Sequence, residues 1–420
     1  MNQSQALKIL KSGQNIFLTG SAGTGKTFLL NEFIKYLKKE KIKVSITAST
    51  GIAATHLGGI TIHSWSGMGI ERKLDDKQIK RLLRKEELCE RIKETKILII
   101  DEISMLDSER LDLLDRICKA IKEPFLPFGG LQIIMSGDFF QLPPVDRERE
   151  GIKFAYDSQA WKQADTKVCY LDKQHRQQDD FEFVNILDRI RENKAGEDVL
   201  NKLKTRLYKK ISCQIKPTKL YTHNANVDAI NNFELSKIQE KEEKYYMTSE
   251  GQDELINFLK KSCLAPEILS LKIGAVVMFV KNNFNRGYVN GTLGKVIDFD
   301  ENGWPIIETK SGKKIIAAPT SWKIEKNNVI LASIEQIPLR LAWAITVHKS
   351  QGMSLDAAEI DLSKSFERGM GYVALSRVRQ LDGIKLMGIN QMALRVSQQI
   401  VEKDKEFREL SKQIEDGFMN

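Results

Sequence analysis

Gly20-Ser21-Ala22-Gly23-Thr24-Gly25-Lys26-Thr27 stands between an apolar run, Ile16-Phe17-Leu18, and a helical pattern that begins at Phe28. Glycines at 20 and 25 followed by Lys and Thr let backbone N–H groups converge on phosphate oxygens, and the helix start adds its positive dipole end. In such a loop Lys26 reaches the β- and γ-phosphates and the Thr27 hydroxyl can ligate Mg²⁺. A strand, a glycine loop and a helix in this order open a parallel α/β sheet.

The rhythm continues on the C-terminal side. Strand-like runs at 43–48, 96–100 and 131–136 alternate with helical segments. One of these, 111–121, carries Leu111, Leu114, Ile117 and Ile121 at helical spacing and is closed by Pro124 and Pro127. A second α/β segment is expected over 161–238, with strands at 167–171 and 218–222, resuming at about 334 and running to 400. Between them the grammar changes. Short β runs at 275–280, 292–299, 305–309 and 314–317 are separated by Asn290-Gly291, Asn302-Gly303 and Ser311-Gly312, which predicts a small antiparallel barrel. The domain reading is therefore 1–160, then 161–238 with 334–400, with 239–333 inserted. Residues 401–420 are highly charged with sparse apolar positions, Phe407, Leu410 and Ile414, and predict an exposed amphipathic helix.

Length and composition bound the function. A chain of 420 residues with 41% hydrophobic and 29% charged residues folds into two or three domains and is not disordered overall. No apolar stretch approaches the roughly 18–20 residues that span a bilayer, so no membrane role is expected. Five scattered cysteines give neither a zinc set nor a redox pair, and a reducing cytoplasm fits them. A net charge of +9, from 65 Lys and Arg against 56 Asp and Glu, is compatible with a polyanion partner but does not identify one.

The loop needs acids and sensors. Ile97-Leu98-Ile99-Ile100 runs into Asp101-Glu102; Asp101 can hold Mg²⁺ and Glu102 can orient the attacking water. Such a pair at a strand end can equally cap a helix, and only the neighbouring phosphate loop favours hydrolysis. Gly137-Asp138-Phe139-Phe140-Gln141-Leu142-Pro143-Pro144-Val145 offers Gln141 as a γ-phosphate sensor. Gln174-His175-Arg176-Gln177 and Tyr372-Val373-Ala374-Leu375-Ser376-Arg377-Val378-Arg379 each offer an arginine able to stabilise transition-state charge.

With these segments in order, the chain resembles the Pif-type (petite integration frequency) DNA helicases of superfamily 1B and, more distantly, the RecD-type helicases. Further matches are Thr47 to Ala54 with Thr61-Ile62-His63-Ser64, and Ala342 to Gly352. Residues 107–130 fill the family's signature segment more loosely, offering Arg116 and Lys119 as its late basic positions. The resemblance implies two RecA-like motor domains across an ATP cleft, a tiny 1B insertion near 67–78 and a larger 2B insertion with a barrel like a Src-homology-3 fold. It implies ATP and Mg²⁺ as cofactors and translocation on single-stranded DNA, with unwinding of tailed or forked duplex in the 5′-to-3′ direction. G-quadruplexes and RNA–DNA hybrids are further possible substrates. The resemblance also implies genome maintenance, in an expected bacterial, nucleoid-associated setting, and a site complete in one chain lets a monomer suffice.

Carried over by position, Gln3 reads the adenine, with Gln5 as a nearby alternative, and residues Gly20, Ser21, Ala22, Gly23, Thr24, Gly25, Lys26 and Thr27 hold the phosphates. Thr27 and Asp101 hold the metal and Glu102 the water, while Gln141, Arg176, Gly352 and Arg377 sense the γ-phosphate. A motor indifferent to sequence grips phosphates and sugars rather than base edges. The candidates are Thr50, Gly51, His63 and Pro143 in the first domain, and Thr222, Asn224, Thr346, His348 and Lys349 in the second. Pro143, two residues after Gln141, can link nucleotide state to strand grip. The hairpin 286–291 is a candidate DNA-facing loop, and the five tryptophans are read as packing residues. Two other classes compete: a nucleotide-dependent clamp that does not move, and a remodelling ATPase with no nucleic-acid partner. Glu102 and two candidate arginine fingers in one chain disfavour both.

Overall fold

Strands buried on both faces organise the N-terminal half. The computed structural model describes residues 1–419 other than 70, 142, 145–150, 152, 212–216, 222–226, 284, 310, 327–328 and 348–349. The chain divides into two compact units: Met1–His175 with Glu325–Val329 and Glu402–Asn420, and Arg176–Ile324 with Ile330–Val401.

In the first unit, β1 (Ile16–Gly20), β2 (Val44–Ala48), β3 (Ile60–Thr61), β4 (Ile97–Asp101), β5 (Gln132–Ser136) and β6 (Lys167–Leu171) form one parallel sheet. Its order is β3-β2-β4-β5-β1-β6. β1 and β4 are buried at every residue, as expected of parallel strands covered on both faces by helices. Helices α1 (Gln3–Leu10) and α2 (Lys26–Lys39) cover one face, and Ile9, Leu10, Leu30 and Phe33 pack on Ile16, Leu18, Ile99 and Ile134. Asn2 and Gln5 close α1 with a reciprocal capping box. Two short helices, α3 (Gly51–Leu57) and α4 (Ile62–Ser66), start on side-chain caps from Thr50 and Thr61.

Two expectations are corrected here. Lys167–Leu171 is the sixth strand of the first sheet, paired with β1 from Ile16↔Lys167 to Gly20↔Leu171, so the break between units falls after His175 rather than at 160. Strand order in a parallel sheet depends on crossovers, which the run itself does not encode. The C-terminal helix, Gln398–Met419, is not an exposed tail. Phe407 is 4% exposed within a ring cluster, 5.0 Å from Phe17, 6.0 Å from Phe139 and Tyr156 and 6.3 Å from Trp161. On the edge strand β6, the Tyr170 N–H donates to Ser411 Oγ at 3.0 Å.

The second unit holds a parallel sheet in the order Ala344–Thr346, Thr218–Tyr221, Ala358–Leu362, Ile384–Ile389. Its inserted part contains a five-stranded antiparallel sheet: Lys314–Ile316, Pro305–Thr309, Leu293–Phe299, Val276–Phe279 and Leu339–Leu341. Four of these strands lie where the turn signals predict them. The insertion extends further than expected, because Ile334 sits in Val329–Gln336, paired with Thr248–Gly251, and Leu339–Leu341 closes the antiparallel sheet. The parallel sheet resumes only at Ala344.

Candidate nucleotide and nucleic-acid sites

The carboxyl ends of a parallel sheet are where α/β folds bind ligands, and in the first unit they carry nearly all its candidate residues. β1 ends in the glycine loop, β4 in Asp101-Glu102, β5 in the Gln141 turn, and β2 and β3 in Thr50, Gly51 and His63. The sheet order therefore puts phosphate chemistry on its inner strands and the nucleic-acid candidates Thr50, Gly51 and His63 on the β2–β3 edge, with Pro143 following inner strand β5.

The loop after β1 is tightly built. Gly20 has φ +143°, and a Cβ there would lie 2.5 Å from the Leu171 carbonyl at the end of β6. Gly25 caps α2 with φ +83°, and a Cβ would strike Gln3 Nε2. Lys26 Nζ donates to the carbonyls of Gly20 at 2.8 Å and Ser21 at 3.1 Å, and Thr24 Oγ1 donates to Ser21 O at 3.0 Å. Ala22 is buried in the loop, and Ser21, Gly23 and Thr27 are half-buried.

Gln3 and Gln5 separate cleanly. Gln3 Nε2 donates to Thr24 O at 3.2 Å, over the loop, whereas Gln5 is spent on the α1 cap with Asn2. Two residues that sequence reasoning did not assign to this loop also hold it: Gln174 Nε2 donates to Ser21 Oγ at 2.7 Å, and the His175 N–H donates to Gly23 O at 3.0 Å. They adjoin Arg176 in sequence, but only the placement of β6 beside β1 brings them to this loop.

Asp101 is 6% exposed. Burial raises its carboxyl above the ordinary range, while Ser136, the Glu102 N–H and the Lys26 charge pull it back. Glu102 adopts φ +52°, ψ +44°, a left-handed conformation costing a non-glycine residue about 1–2 kcal/mol. Its carbonyl accepts from Ser49 Oγ at 2.7 Å, and the Ser49 N–H donates to Asp101 O at 3.1 Å. The segment after β2 thus braces the strained turn that aims Glu102. Gln141 is buried, with Nε2 3.3 Å from Asp138 Oδ2, and the Phe140 N–H donates to Asp138 Oδ1 at 3.2 Å. Pro143 follows, half-buried.

Of the nucleic-acid candidates, Thr50 accepts from the Ala53 N–H at 3.2 Å and Gly51 opens α3. His63 lies in α4, its pKa lowered by burial and by Arg110, with Asp107 opposing. In the second unit Thr346 ends its strand half-buried. Thr222, Asn224, His348 and Lys349 lie outside the described residues, as does Val145. In the hairpin 286–291, Arg286 and Gly287 are exposed, while Tyr288 and Asn290 are buried.

The two arginines are anchored within the second unit. Arg176 Nε donates to Ser354 Oγ at 2.8 Å and Nη1 to Ser376 O at 2.8 Å. Arg377 is 1% exposed, its Nε donating to Val373 O at 3.0 Å and Nη2 to Ser376 Oγ at 3.1 Å. Gly352 is exposed with φ +76°.

The signature segment acquires a structural role. In the helix Ser108–Ile121, Arg116 Nη1 donates to Leu74 O at 2.7 Å and Nη2 pairs with Asp76, so this helix pins the segment around residues 74–76. Lys119 pairs with Asp115 at 2.7 Å.

Comparison with known proteins follows the same lines. The family model described as PIF1-like helicase matches residues 2–199, and that described as DNA helicase Pif1, 2B domain, matches residues 254–299. The chain is 44% identical to the ATP-dependent DNA helicase Pif1 of Psychrobacter sp. (strain PRwf-1), over 100% of this chain and 72% of that protein. It is 37% identical to the ATP-dependent DNA helicase PIF1 of Xenopus laevis, over 95% of this chain but only 63% of the other. It resembles the solved Pif1 of Bacteroides sp. both unliganded, with TM-score 0.82, and bound to single-stranded DNA, with TM-score 0.61. Identity is 32% in each, covering 97% of this chain and 96% of the first structure, and 96% and 95% for the second.

Proposed function

Because this chain belongs to the PIF1-like helicase family, we propose that it is an ATP-dependent DNA helicase that moves 5′ to 3′ on single-stranded DNA and opens tailed or forked duplex ahead of it. The observation that carries this reading is the shared edge of the first sheet. Phosphate loop, buried acid, strained glutamate and buried glutamine stand on its inner strands, and polar helix starts stand beside them on the β2–β3 edge.

In this reading Gln3 selects the adenine, and the loop 20–27 with Lys26 holds the phosphates. Glu102 orients the attacking water and accepts its proton, and Gln141 reports the γ-phosphate to the Pro143 turn. Arg176 and Arg377 offset charge on the transferred phosphoryl group, and Gly352 approaches it through its backbone. Thr27 and Asp101, a hydroxyl and a buried carboxylate beside Lys26, are an all-oxygen pair suited to Mg²⁺, a hard ion that keeps several waters. Bound there, that ion would supply positive charge to offset the charge on the phosphates. Thr50, Gly51, His63, Thr346, Thr222, Asn224, His348 and Lys349 contact the DNA backbone. The protein acts as a monomer on chromosomal DNA, with G-quadruplexes and RNA–DNA hybrids as further substrates.

Steady-state ATP hydrolysis with and without single-stranded DNA tests the reading, with Lys26→Ala and Glu102→Gln as controls. Hydrolysis that rises with DNA, falls with salt as phosphate contacts are lost and drops about 10²–10⁴-fold in Glu102→Gln is expected. Hydrolysis indifferent to DNA would reject the reading.

A further inference from the structure

The inserted β-domain and the hydrolytic arginines meet at one residue, Ser354. Its N–H donates to the Asn290 carbonyl at 3.2 Å, and its Oγ accepts from Arg176 Nε at 2.8 Å. The next residue continues the link, because the Leu355 N–H donates to the Arg377 carbonyl at 2.8 Å. Residues 354–355 therefore hold both arginines, one by side chain and one by backbone.

The turn that touches Ser354 is stiff. The Gly291 N–H donates to Phe279 O at 2.8 Å, the Asn290 N–H donates to Asn282 Oδ1 at 2.8 Å, and the rings of Phe279 and Tyr288 stack at 4.0 Å. Contact with residue 354 is also close. Gly291 has φ +93°, and a Cβ there would lie 2.7 Å from Ser354 O and 3.0 Å from Ser354 N. A shift of the inserted domain must move Ser354, and with it the hydroxyl that orients the Arg176 guanidinium.

We propose that Ser354 is a positioning residue for hydrolysis, through which the inserted β-domain sets the placement of Arg176 and, by way of Leu355, of Arg377. This rests on the assignment of Arg176 to the γ-phosphate. The relay makes turnover sensitive to the state of the inserted domain.

The test is DNA-stimulated ATP hydrolysis by the full chain, resolved into kcat and KM. Ser354→Ala is expected to lower kcat about tenfold, the scale for losing a hydrogen bond to a charged group, with KM for ATP nearly unchanged. Ser354→Thr, which keeps the hydroxyl, restores most of it. Gly291→Ala lowers kcat similarly. Gly303→Ala, at another turn of the inserted domain with φ +74° and nothing within 4 Å of the added Cβ, suffers the same backbone strain without the contact and keeps wild-type kcat. In an Arg176→Ala background, Ser354→Ala adds no further loss. Loss in Arg176→Ala with wild-type turnover in Ser354→Ala and Gly291→Ala overturns the relay alone. Wild-type turnover in Arg176→Ala overturns the arginine assignment and the relay with it. Equal loss in Gly291→Ala and Gly303→Ala reduces the glycine effect to strain and also overturns the relay.

Discussion

Replacing Phe407 by Ala tests whether the C-terminal helix is an integral part of the first unit. The ring is 4% exposed and meets Phe17, Phe139, Tyr156 and Trp161 at centroid separations of 5.0–6.3 Å. Deleting a buried phenyl ring costs about 3–5 kcal/mol, from lost transfer energy and the cavity left behind. With a urea dependence of about 2–3 kcal/mol per molar for a unit of this size, the unfolding midpoint should fall by about 1–2 M. The transition to follow is that of the first unit, because two units need not unfold together. Leu410→Ala, at a position 36% exposed on the same helix, should shift the midpoint far less, which separates burial from helix propensity. A Phe407→Ala midpoint within about 0.3 M of wild type, less than 1 kcal/mol on that urea dependence, would refute the docking, because no buried aromatic cluster loses its central ring so cheaply.

Other outcomes follow from single contacts. Arg116→Ala should expose the segment around residues 74–76 to limited proteolysis by removing its bonds to Leu74 O and Asp76, at a global cost of about 1 kcal/mol since the pair is partly solvated; an unchanged cleavage pattern would deny the helix its anchoring role. His56 is pushed down to about 4 by burial, below its ordinary value near 6.5, so the unfolded chain binds its proton first. Its contribution is fully present above about pH 6.5 and is lost as pH falls toward 4, by roughly 3 kcal/mol at about 1.4 kcal/mol per pH unit. The stability difference between wild type and His56→Gln should therefore shrink across that window, and parallel profiles would contradict it. Gln141→Ala should reduce DNA-stimulated hydrolysis far more than DNA affinity, whereas equal loss of basal and stimulated rates would remove the coupling role from the Gln141–Pro143 turn.

What the sequence discloses, and what it hides, has a physical pattern. Residues 20–27 and 101–102 are legible because phosphate binding demands fixed types at fixed spacing on one strand end. The short strands of the inserted domain are legible because Asn-Gly and Ser-Gly turns punctuate them. Lys167–Leu171 is recognisable as a strand but not as a neighbour of β1, since it lies far along the chain from the phosphate-loop strand and pairing is a property of the crossover. Phe407 looks exposed because its helix is mostly charged, yet one aromatic residue is enough to dock it when Phe17, Phe139 and Trp161 leave a place for a ring. Gln3 and Gln5 are indistinguishable by spacing and are separated only by the α1 cap, which uses one and leaves the other over the loop. The left-handed backbone of Glu102 carries no sequence signal at all, since glycine, the usual marker of that conformation, is absent there.

The most direct test of the central claim is strand separation with ATP and Mg²⁺ on two matched partial duplexes, one with a 5′ single-stranded tail and one with a 3′ tail, with Lys26→Ala as control. Opening of the 5′-tailed duplex alone, and none by the control, is the expected result. Opening of the 3′-tailed duplex alone would contradict the direction of travel, and DNA-stimulated hydrolysis with neither duplex opened would contradict the helicase itself in favour of a translocase or a clamp.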